Sequence, residues 1–320
     1  MTPFALIERP LRLAGTAFAF AVFGLGGLLY RFPVAPLLNL DRDAVRRHRR
    51  ARRIVQWWFA RFVGLLKILH LVRIRVVHPE RLSRPGLLVT ANHPSLIDVV
   101  CLMSLIPYGT TVVKDSLTRN PFTAAPIRAA GYLSNACGVE ALEAVSAELQ
   151  RGASMVIFPE GTRTPTDLPA GTYPRMHRGA AALAFETGRP LTPVRVTAQP
   201  RWLTKDRGWW HLPPEPMTLT FEILEDLPLE DLQDLYNQRP SLACRRLTVR
   251  LQQVLFSEPA KQHWTRPSST TSSRSSSRAS ILKTSRRPTS IPTRRFSAKV
   301  SVLTASTRSS SASRSRRNTA

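Results

Sequence analysis

The sequence predicts an α/β fold in which helices cover a layered mixed sheet, preceded by N-terminal membrane-anchoring helices and followed by a disordered tail. From residue 72 onward, short β-branched runs alternate with helical segments, which is typical of a layered α/β domain. The preceding part is apolar and then basic, and the last part is mostly Ser, Thr and Arg. We expect a membrane anchor at 1–40, a basic amphipathic interfacial helix at 41–71, the α/β domain at 72–265 and a disordered tail at 266–320.

The anchor is predicted from residues 15–30, GTAFAFAVFGLGGLLY, which carry almost no polar side chains. Extended back to Leu11, the stretch reaches the roughly 20 residues that a membrane-spanning helix needs. Arg9, Arg12 and Arg31 flank it. A single membrane helix or a re-entrant anchor is the prediction, and a buried core helix is the alternative.

A basic segment, RRHRRARR at 46–53, comes next and is followed by a helical pattern at 55–71. That pattern mixes Trp57, Trp58 and further large apolar residues with Arg61 and Lys67. Such a helix is typical of one that lies on an anionic membrane surface. The alternative is a solvated basic helix packed on the α/β domain.

The α/β domain is predicted from its changing periodicity. Strands are expected at 72–77, 87–90, 110–114, 155–158, 191–197 and 218–224. Helices are expected at 97–105, 121–130, 140–150, 178–187 and 241–255. The loops between these elements should carry the chemistry.

The charge is strongly basic, with 46 Lys and Arg against 21 Asp and Glu, a formal net charge of +25. The tail at 266–320 holds 13 basic and no acidic residues, which leaves 25 − 13 = +12 for residues 1–265. Nucleic acid, an anionic membrane and an anionic substrate are the candidate partners. Cys101, Cys137 and Cys244 are widely spaced, which predicts neither a disulfide framework nor a metal site and suits a reducing cytosolic face.

The tail admits two interpretations. It is either a basic low-complexity arm that binds RNA or lipid, or an out-of-frame translation of a neighbouring coding sequence. Back-translation of residues 293–311, read one nucleotide earlier, is compatible with DAPLFGEGLGLDSIDALEL. That string is similar to the acyl carrier protein segment around the serine that receives phosphopantetheine. The second interpretation therefore predicts a carrier-protein gene or domain immediately downstream.

The first candidate site is TANHPSLIDVV at 90–100, where a strand ends and a helix begins. Pro94 suits a first helical turn, and Asn92 or His93 a helix cap. If His93 lies just before the helix, its ring can fold back so that Asp98 accepts a hydrogen bond from one ring nitrogen. The other nitrogen is then a general base for a substrate that brings its own hydroxyl. A capping Asn-His pair with a solvated Asp is the alternative.

The second candidate site is VIFPEGTRT at 156–164, an apolar strand that runs into a polar turn. Gly161 suits a sharp turn that exposes backbone N–H groups, and Arg163 offers a fork for phosphate. Glu160 can hold a hydroxyl, and Thr162 lies between these residues. The pattern predicts a site for a phosphorylated alcohol, and an ordinary turn with a surface arginine is the alternative.

Together these motifs resemble the glycerolphosphate and lysophospholipid acyltransferase family. HPSLID at 93–98 is similar to its HxxxxD motif and FPEGTR at 158–163 to its FPEGTR motif. KDSLTRNPFTAAPIRAAGYLS at 114–134 and LTPVRV at 191–196 are similar to two further blocks, in the family's order, over residues 77–196. One departure concerns the acceptor site, because Ser134 and Asn135 stand where many members carry an acidic residue and an arginine.

The resemblance implies a glycerolphosphate-acyltransferase-like fold and roles for the motif residues. His93 would deprotonate the acceptor hydroxyl, which attacks an acyl thioester, and Asp98 would orient the imidazole. Glu160, Gly161 and Thr162 would position the glycerol portion of the acceptor. Arg163 would bind its phosphate, with Lys114 and Arg119 as further electrostatic contacts. Neither a metal nor a cofactor is expected.

The expected reaction moves a fatty acyl group from acyl carrier protein or acyl-CoA to 1-acyl-sn-glycerol 3-phosphate, giving phosphatidic acid. One alternative is an acyltransferase for a specialised lipid or polyene acceptor, encoded beside its own carrier protein. The other is a non-catalytic basic protein that binds membrane or nucleic acid. The expected location is a bacterial-type inner membrane with the active site on its cytoplasmic face.

Overall fold

The computed structural model describes residues 3–134, 139–169 and 171–257. The tail at 266–320, together with Asn135 and Cys137, lies outside the described residues, so both interpretations of the tail stay predictions. In the described part of the chain, seven strands form one mixed sheet: β1 (Val72–Val77), β2 (Leu88–Ala91), β3 (Gly109–Val113), β4 (Leu133–Ser134), β5 (Ser154–Ile157), β6 (Leu191–Gln199) and β7 (Met217–Ile223). Their order is β1-β7-β6-β2-β5-β3-β4.

All neighbouring strands are parallel except β6 and β7, which are antiparallel. The predicted layered mixed α/β fold is therefore confirmed. The six predicted strands occur within one or two residues of their predicted ends. The two-residue β4 was missed because so short a pairing leaves no periodic pattern in the sequence.

The described helices are α1 (Pro3–Leu29), α2 (Ala35–Asn39), α3 (Ala44–Ile68), α4 (Asp98–Leu105), α5 (Asp115–Arg119), α6 (Ala124–Ala129), α7 (Val139–Gln150), α8 (Gly179–Thr187), α9 (Glu230–Gln238) and α10 (Pro240–Phe256). A π-helical turn, Tyr30–Val34, joins α1 to α2, and a 3-10 turn spans Pro79–Ser83. The short helices α2, α5 and α9 were not predicted from the sequence.

The sheet is buried on both faces, and alternate residues of its strands enter two different apolar cores. Leu88 and Met155 pack on the side of α8 and α10, whereas their neighbours Val89 and Val156 pack on the side of α3 and α4. Since side chains of a strand alternate between faces, this gives three layers with the sheet in the middle.

Helix α3 lies within the segment at 41–71 for which an interfacial helix is predicted. It begins at Ala44 and contains both the basic run at 46–53 and most of the amphipathic pattern that follows it. The Asp43 side chain caps it by accepting hydrogen bonds from the N–H groups of Val45 and Arg46. A cap this far upstream allows the basic run to continue the amphipathic helix.

One arginine of that run is buried. Arg52 is 3% exposed, donates from Nε to Ala130 O at 2.8 Å and pairs through Nη1 with Glu148. Burial raises the pKa of Glu148, but Arg52 and Arg151 outweigh it, so the net shift is downward. The ion pair between Arg52 and Glu148 connects α3 to α7.

Replacing Arg52 by methionine is expected to lower the free energy of unfolding by about 3 kcal/mol, because it removes the buried cation of the Glu148 carboxylate and leaves only the more exposed Arg151 beside it. Arg50→Met, which removes an exposed pair with Asp41, should cost less than about 1 kcal/mol. Denaturant titration of the two variants measures the difference. Since the folded pKa of Glu148 is lowered, the advantage of the wild type over Arg52→Met should shrink as the pH falls through that pKa. Equal stability of the two variants would contradict this role.

The N-terminal helical stretch Glu8–Asn39 is long and apolar enough to cross a membrane, with a mean hydropathy of 1.7. Its outer face is apolar and exposed at Leu11, Phe18, Leu25 and Leu29. The expectation of a membrane anchor is thus compatible with the helix, and it stays a prediction.

The inner face of α1 packs lengthwise on the α/β domain. Arg12 donates to Pro213 O and Pro214 O at 3.0 and 2.8 Å near one end. Near the other end, a Cβ atom at Gly26 would lie 2.0 Å from the Trp58 ring. Glycine is therefore required where α1 and α3 approach most closely.

Candidate active site

Two loops meet at one edge of the sheet and form the candidate site. The His93 loop (92–97) follows β2, and the Glu160 turn (158–164) follows β5. Strands β2 and β5 are parallel neighbours, with Val89 opposite Val156. Their carboxyl ends therefore lie side by side, which is where open α/β sheets place their binding sites.

The predicted contact between His93 and Asp98 is present. His93 Nδ1 lies 3.1 Å from Asp98 Oδ2, and Asp98 is the first residue of α4. The imidazole is 15% exposed and contacts the tilted ring of Phe158 at a centroid distance of 4.8 Å. With Nδ1 directed to the carboxylate, Nε2 is the nitrogen left to accept a proton. The catalytic role of the pair stays a prediction.

Asp98 is fully buried, which is unusual for a carboxylate. Its Oδ2 also accepts from Ser95 N–H at 2.7 Å, while Oδ1 has no hydrogen-bond partner among the described residues. Burial raises the pKa of Asp98, opposed by the hydrogen bonds from His93 and Ser95 and by the charge of Arg163. A buried acceptor in this position fixes the imidazole tautomer.

Asn92 has a role that the sequence did not reveal. Its side-chain amide donates to Val196 O at 2.8 Å and accepts from Val196 N–H at 2.7 Å. The prediction that Asn92 or His93 caps the following helix is wrong, because α4 starts after Ile97 and has no side-chain cap. Asn92 instead fastens the start of the His93 loop to β6, 104 residues away in sequence.

Glu160 contacts the His93 loop. Its Oε1 accepts from the backbone N–H of His93 and from the hydroxyl of Thr164, both at 2.8 Å. Its Oε2 is buried without a hydrogen-bond partner in the described part of the chain. Burial raises the pKa of Glu160, and the bonds from Thr164 and His93 oppose that shift. Oε1 is thus bonded within the protein, whereas Oε2 has no donor among the described residues.

Gly161 has φ +65°, so the turn needs a left-handed residue there, and a Cβ atom would lie 3.1 Å from the His177 ring. The predicted sharp turn is present. Thr162 is exposed beside it. Both residues lie at the carboxyl edge of the sheet, next to the His93 loop.

Arg163 makes contacts within the protein that the sequence did not predict. Its Nη1 donates to the backbone oxygens of Leu203 and Thr204 at 2.9 and 2.7 Å, so this nitrogen holds the 201–204 segment. The N–H of Leu96 also donates to Leu203 O at 3.1 Å. Arg163 therefore connects the Glu160 turn to the His93 loop through that segment, with part of its fork already occupied.

The two further basic residues lie at the same edge but are not brought into contact with His93. Lys114 follows β3, two strands from β2, and is exposed. Arg119 is exposed at the end of α5, where it forms an ion pair with Asp115. In the part of the chain that the structure describes, no group of three His, Cys, Asp or Glu residues could hold a metal.

An apolar cavity of about 350 Å³ adjoins the imidazole. Helices α1, α3, α4 and α6 enclose it together with β3, and His93 lies in its wall. Most of the lining is aromatic or aliphatic, including Phe20, Phe23, Phe62, Val100, Met103 and Tyr132. The sequence did not predict it, because its walls come from segments that only the tertiary packing brings together. Such a cavity accepts a hydrocarbon chain.

Known proteins are similar to this chain in sequence. The family model named Acyltransferase matches residues 73–197. A 1-acyl-sn-glycerol-3-phosphate acyltransferase of Saccharomyces cerevisiae is 30% identical over 152 residues, 45% of this chain and 50% of the yeast protein. The chain thus spans half the length of that relative. The Pseudomonas aeruginosa protein of the same name is 26% identical over 188 residues, 57% of this chain and 68% of that protein.

A second Pseudomonas aeruginosa protein, named lyso-ornithine lipid O-acyltransferase, is 29% identical over 206 residues, 62% of this chain and 70% of that protein. Among solved structures, the 1-acyl-sn-glycerophosphate acyltransferase PlsC of Thermotoga maritima has the same fold, with a TM-score of 0.54 and 21% identity over 79% of this chain and 99% of that one. The matched region contains both loops of the candidate site. Residues 73–197 therefore match the Acyltransferase family model, and the chain is similar in sequence to 1-acyl-sn-glycerol-3-phosphate acyltransferases.

Proposed function

We propose that the protein is an O-acyltransferase that moves a fatty acyl group from an acyl thioester to the free hydroxyl of a lysophospholipid. One observation supports this above all: His93, held by the buried Asp98, lies in the wall of an apolar cavity. A base that borders a hydrocarbon-binding cavity is what attack of a hydroxyl on an acyl thioester requires.

In the proposed mechanism, His93 Nε2 takes the proton of the acceptor hydroxyl as the oxygen attacks the thioester carbonyl. The tetrahedral intermediate then collapses, the C–S bond breaks, and the imidazolium returns the proton to the leaving thiolate. Asp98 holds Nδ1–H throughout and stabilises the imidazolium. A thioester is already activated toward attack. His93 and Asp98 therefore need to supply only the proton transfer.

The proposed acceptor is 1-acyl-sn-glycerol 3-phosphate, which gives phosphatidic acid. The two relatives that carry this name support it. The unpartnered Glu160 Oε2 would accept from a glycerol hydroxyl, and Lys114 and the remaining donors of Arg163 would face the phosphate. The proposed donor is an acyl carrier protein or acyl-CoA, with the acyl chain in the cavity.

A second acceptor class, a lyso-ornithine lipid, is favoured by three observations. The relative of that name shares the longest of the three alignments given above. In addition, Arg163 Nη1 already donates to two backbone oxygens, which leaves fewer donors for a phosphate. Ser134 and Asn135 also stand where many family members carry an acidic residue and an arginine. A third candidate acceptor for the same reaction is a specialised lipid or polyene, acylated by an enzyme that is encoded beside its own acyl carrier protein.

The acceptor assay separates these candidates. Membranes that contain the protein are incubated with labelled acyl carrier protein or acyl-CoA and, in turn, with each lysolipid, and with His93→Ala membranes as the control. Labelled phosphatidic acid is the expected product. Acylation of lyso-ornithine lipid alone would assign the second acceptor, and no transfer to any lysolipid would refute the proposed function.

We also propose that the protein lies on the cytoplasmic face of a membrane, where lysolipid substrates are found. The exposed apolar face of α1 and the exposed basic and apolar side chains of α3, among them Arg46, Trp57, Arg61 and Ile68, support this location. Arg61 stacks over Trp57 at 5.4 Å, an arrangement suited to an interface.

The cavity leads to a prediction about the chain length of the acyl donor. Gly26→Ala is expected to reduce transfer from long-chain donors more than from short-chain donors, because the new methyl group must displace the Trp58 ring in the cavity wall. Gly64→Ala on α3 is the matched control, since nothing lies within 4 Å of a Cβ there. Competition between two labelled acyl thioesters of different length measures the ratio. An unchanged ratio in Gly26→Ala would show that the acyl chain does not enter this cavity.

A further inference from the structure

Thr164 lies one residue beyond the recognised motif, yet it contacts His93 from two sides. Its hydroxyl accepts from the His93 backbone N–H at 3.2 Å, and its own N–H donates to His93 O at 2.7 Å. Both polar groups of the His93 backbone are therefore bonded to one residue of the Glu160 turn, 71 positions away.

The donor and acceptor roles within this contact are fixed. The hydroxyl has one proton, which it gives to Glu160 Oε1 at 2.8 Å, so it can only accept from His93 N–H. Glu160 Oε1 accepts from that same N–H at 2.8 Å. The three groups form a closed triangle whose members support one another.

The triangle is shielded from water. Thr164 is 2% exposed and Glu160 is 5% exposed. Water cannot replace a lost hydrogen bond at little cost in such a place. Removing the Thr164 hydroxyl would take one of two protein donors from Glu160 Oε1 and would favour protonation of that buried carboxyl, which weakens its bond to His93 N–H.

We propose that Thr164 is a positioning residue for the acyl transfer, which fixes the His93 backbone through its hydroxyl, its amide and Glu160 Oε1. The imidazole is then held at both ends, by Asp98 at the ring and by this triangle at the main chain. Glu160 Oε1 holds the backbone N–H of His93, and Oε2 is left to bind the acceptor. The proposal rests on the proposed function, in which His93 is the base.

The test compares Thr164→Val, which removes the hydroxyl at nearly constant shape, with Thr164→Ser, which keeps it. Thr164→Val is expected to lower kcat by about 10²-fold with the KM values of donor and acceptor nearly unchanged, because a small displacement of the base costs about that much. Thr164→Ser should stay within about threefold of the wild type, since its hydroxyl makes the same bonds. Thr248→Val is the matched control, because that buried hydroxyl bonds only within α10.

Hydrogen–deuterium exchange of the His93 amide gives a second measurement that needs no activity. The amide should exchange slowly in the wild type, Thr164→Ser and Thr248→Val, and faster in Thr164→Val. If Thr164→Val does not fold, Thr164→Cys takes its place, with a weaker donor and an intermediate loss.

Three results would overturn the proposal: a wild-type kcat in Thr164→Val, a loss confined to the KM of the acceptor, or a failure of Thr164→Ser to restore activity. Unchanged exchange of the His93 amide in Thr164→Val would also overturn it. If the wild-type protein acylates no lysolipid, the proposed function is refuted, while amide exchange still decides whether Thr164 holds His93.

Discussion

Replacing His93 by alanine is expected to lower kcat for acyl transfer by about 10³-fold or more, with membrane association unchanged. The reason is that the variant loses the imidazole that lies beside Asp98 in the wall of the apolar cavity, and a positioned base contributes about 10²–10⁴-fold. Acyl transfer to the lysolipid panel and sedimentation of the protein with membranes are measured on the same preparations.

His211→Ala, a change at an exposed histidine, is the control for the His93 experiment. Imidazole added to His93→Ala should restore part of the rate, because it can occupy the vacated space beside Asp98. A His93→Ala protein that keeps a wild-type kcat would refute the proposed mechanism. Salt-sensitive binding that survives His93→Ala, together with no acyl transfer by the wild type, would instead support the rival interpretation, in which the protein is a basic binding protein without catalysis.

Asp98→Asn is expected to lower kcat by about 10³–10⁴-fold with little change in KM, because a neutral amide neither fixes the imidazole tautomer nor stabilises the imidazolium. Steady-state kinetics with saturating donor and acceptor measure the loss. The size and shape of the side chain are kept, so Ser95 N–H retains an oxygen acceptor. A loss that appears only in KM would show that Asp98 serves substrate binding.

The stability of Asp98→Asn should change in the opposite direction to its activity. Burial raises the pKa of Asp98, which means that the folded protein disfavours the charged form. For a carboxyl with a raised folded pKa, stability is present below the unfolded pKa and is lost as the pH rises through the folded pKa. Asp98→Asn should therefore be at least as stable as the wild type at neutral pH, with a difference that shrinks in acid. Lower stability at neutral pH would mark Asp98 as a structural residue.

Much of the fold could be predicted because its strands leave short β-branched runs in the sequence. The runs at 72–77 and 191–197 correspond to β1 and β6 with almost the same ends. The exact ends of helices depend on single side chains. Within the predicted segment at 41–71, helix α3 starts at Ala44 because Asp43 caps it.

The two clusters of the candidate site could be found because each lies directly after a strand, at the position where α/β proteins carry their sites. That they lie side by side could not be found from local patterns, since it depends on β2 and β5 being parallel neighbours. The same applies to the internal contacts of Arg163, whose backbone acceptors at Leu203 and Thr204 lie 40 and 41 residues away.

The sequence by itself determined the strands, the His93 and Glu160 motifs and the resemblance to acyltransferases, because these depend on residue type, order and local spacing. Only the tertiary structure decided how the base is held. Asn92 bonds to Val196, and Thr164 bonds to His93, over separations of 104 and 71 residues. The cavity likewise needs α1 packed against α3 and α6. Periodicity records which face of an element is buried, whereas the partner on that face is chosen by the packing of the whole chain.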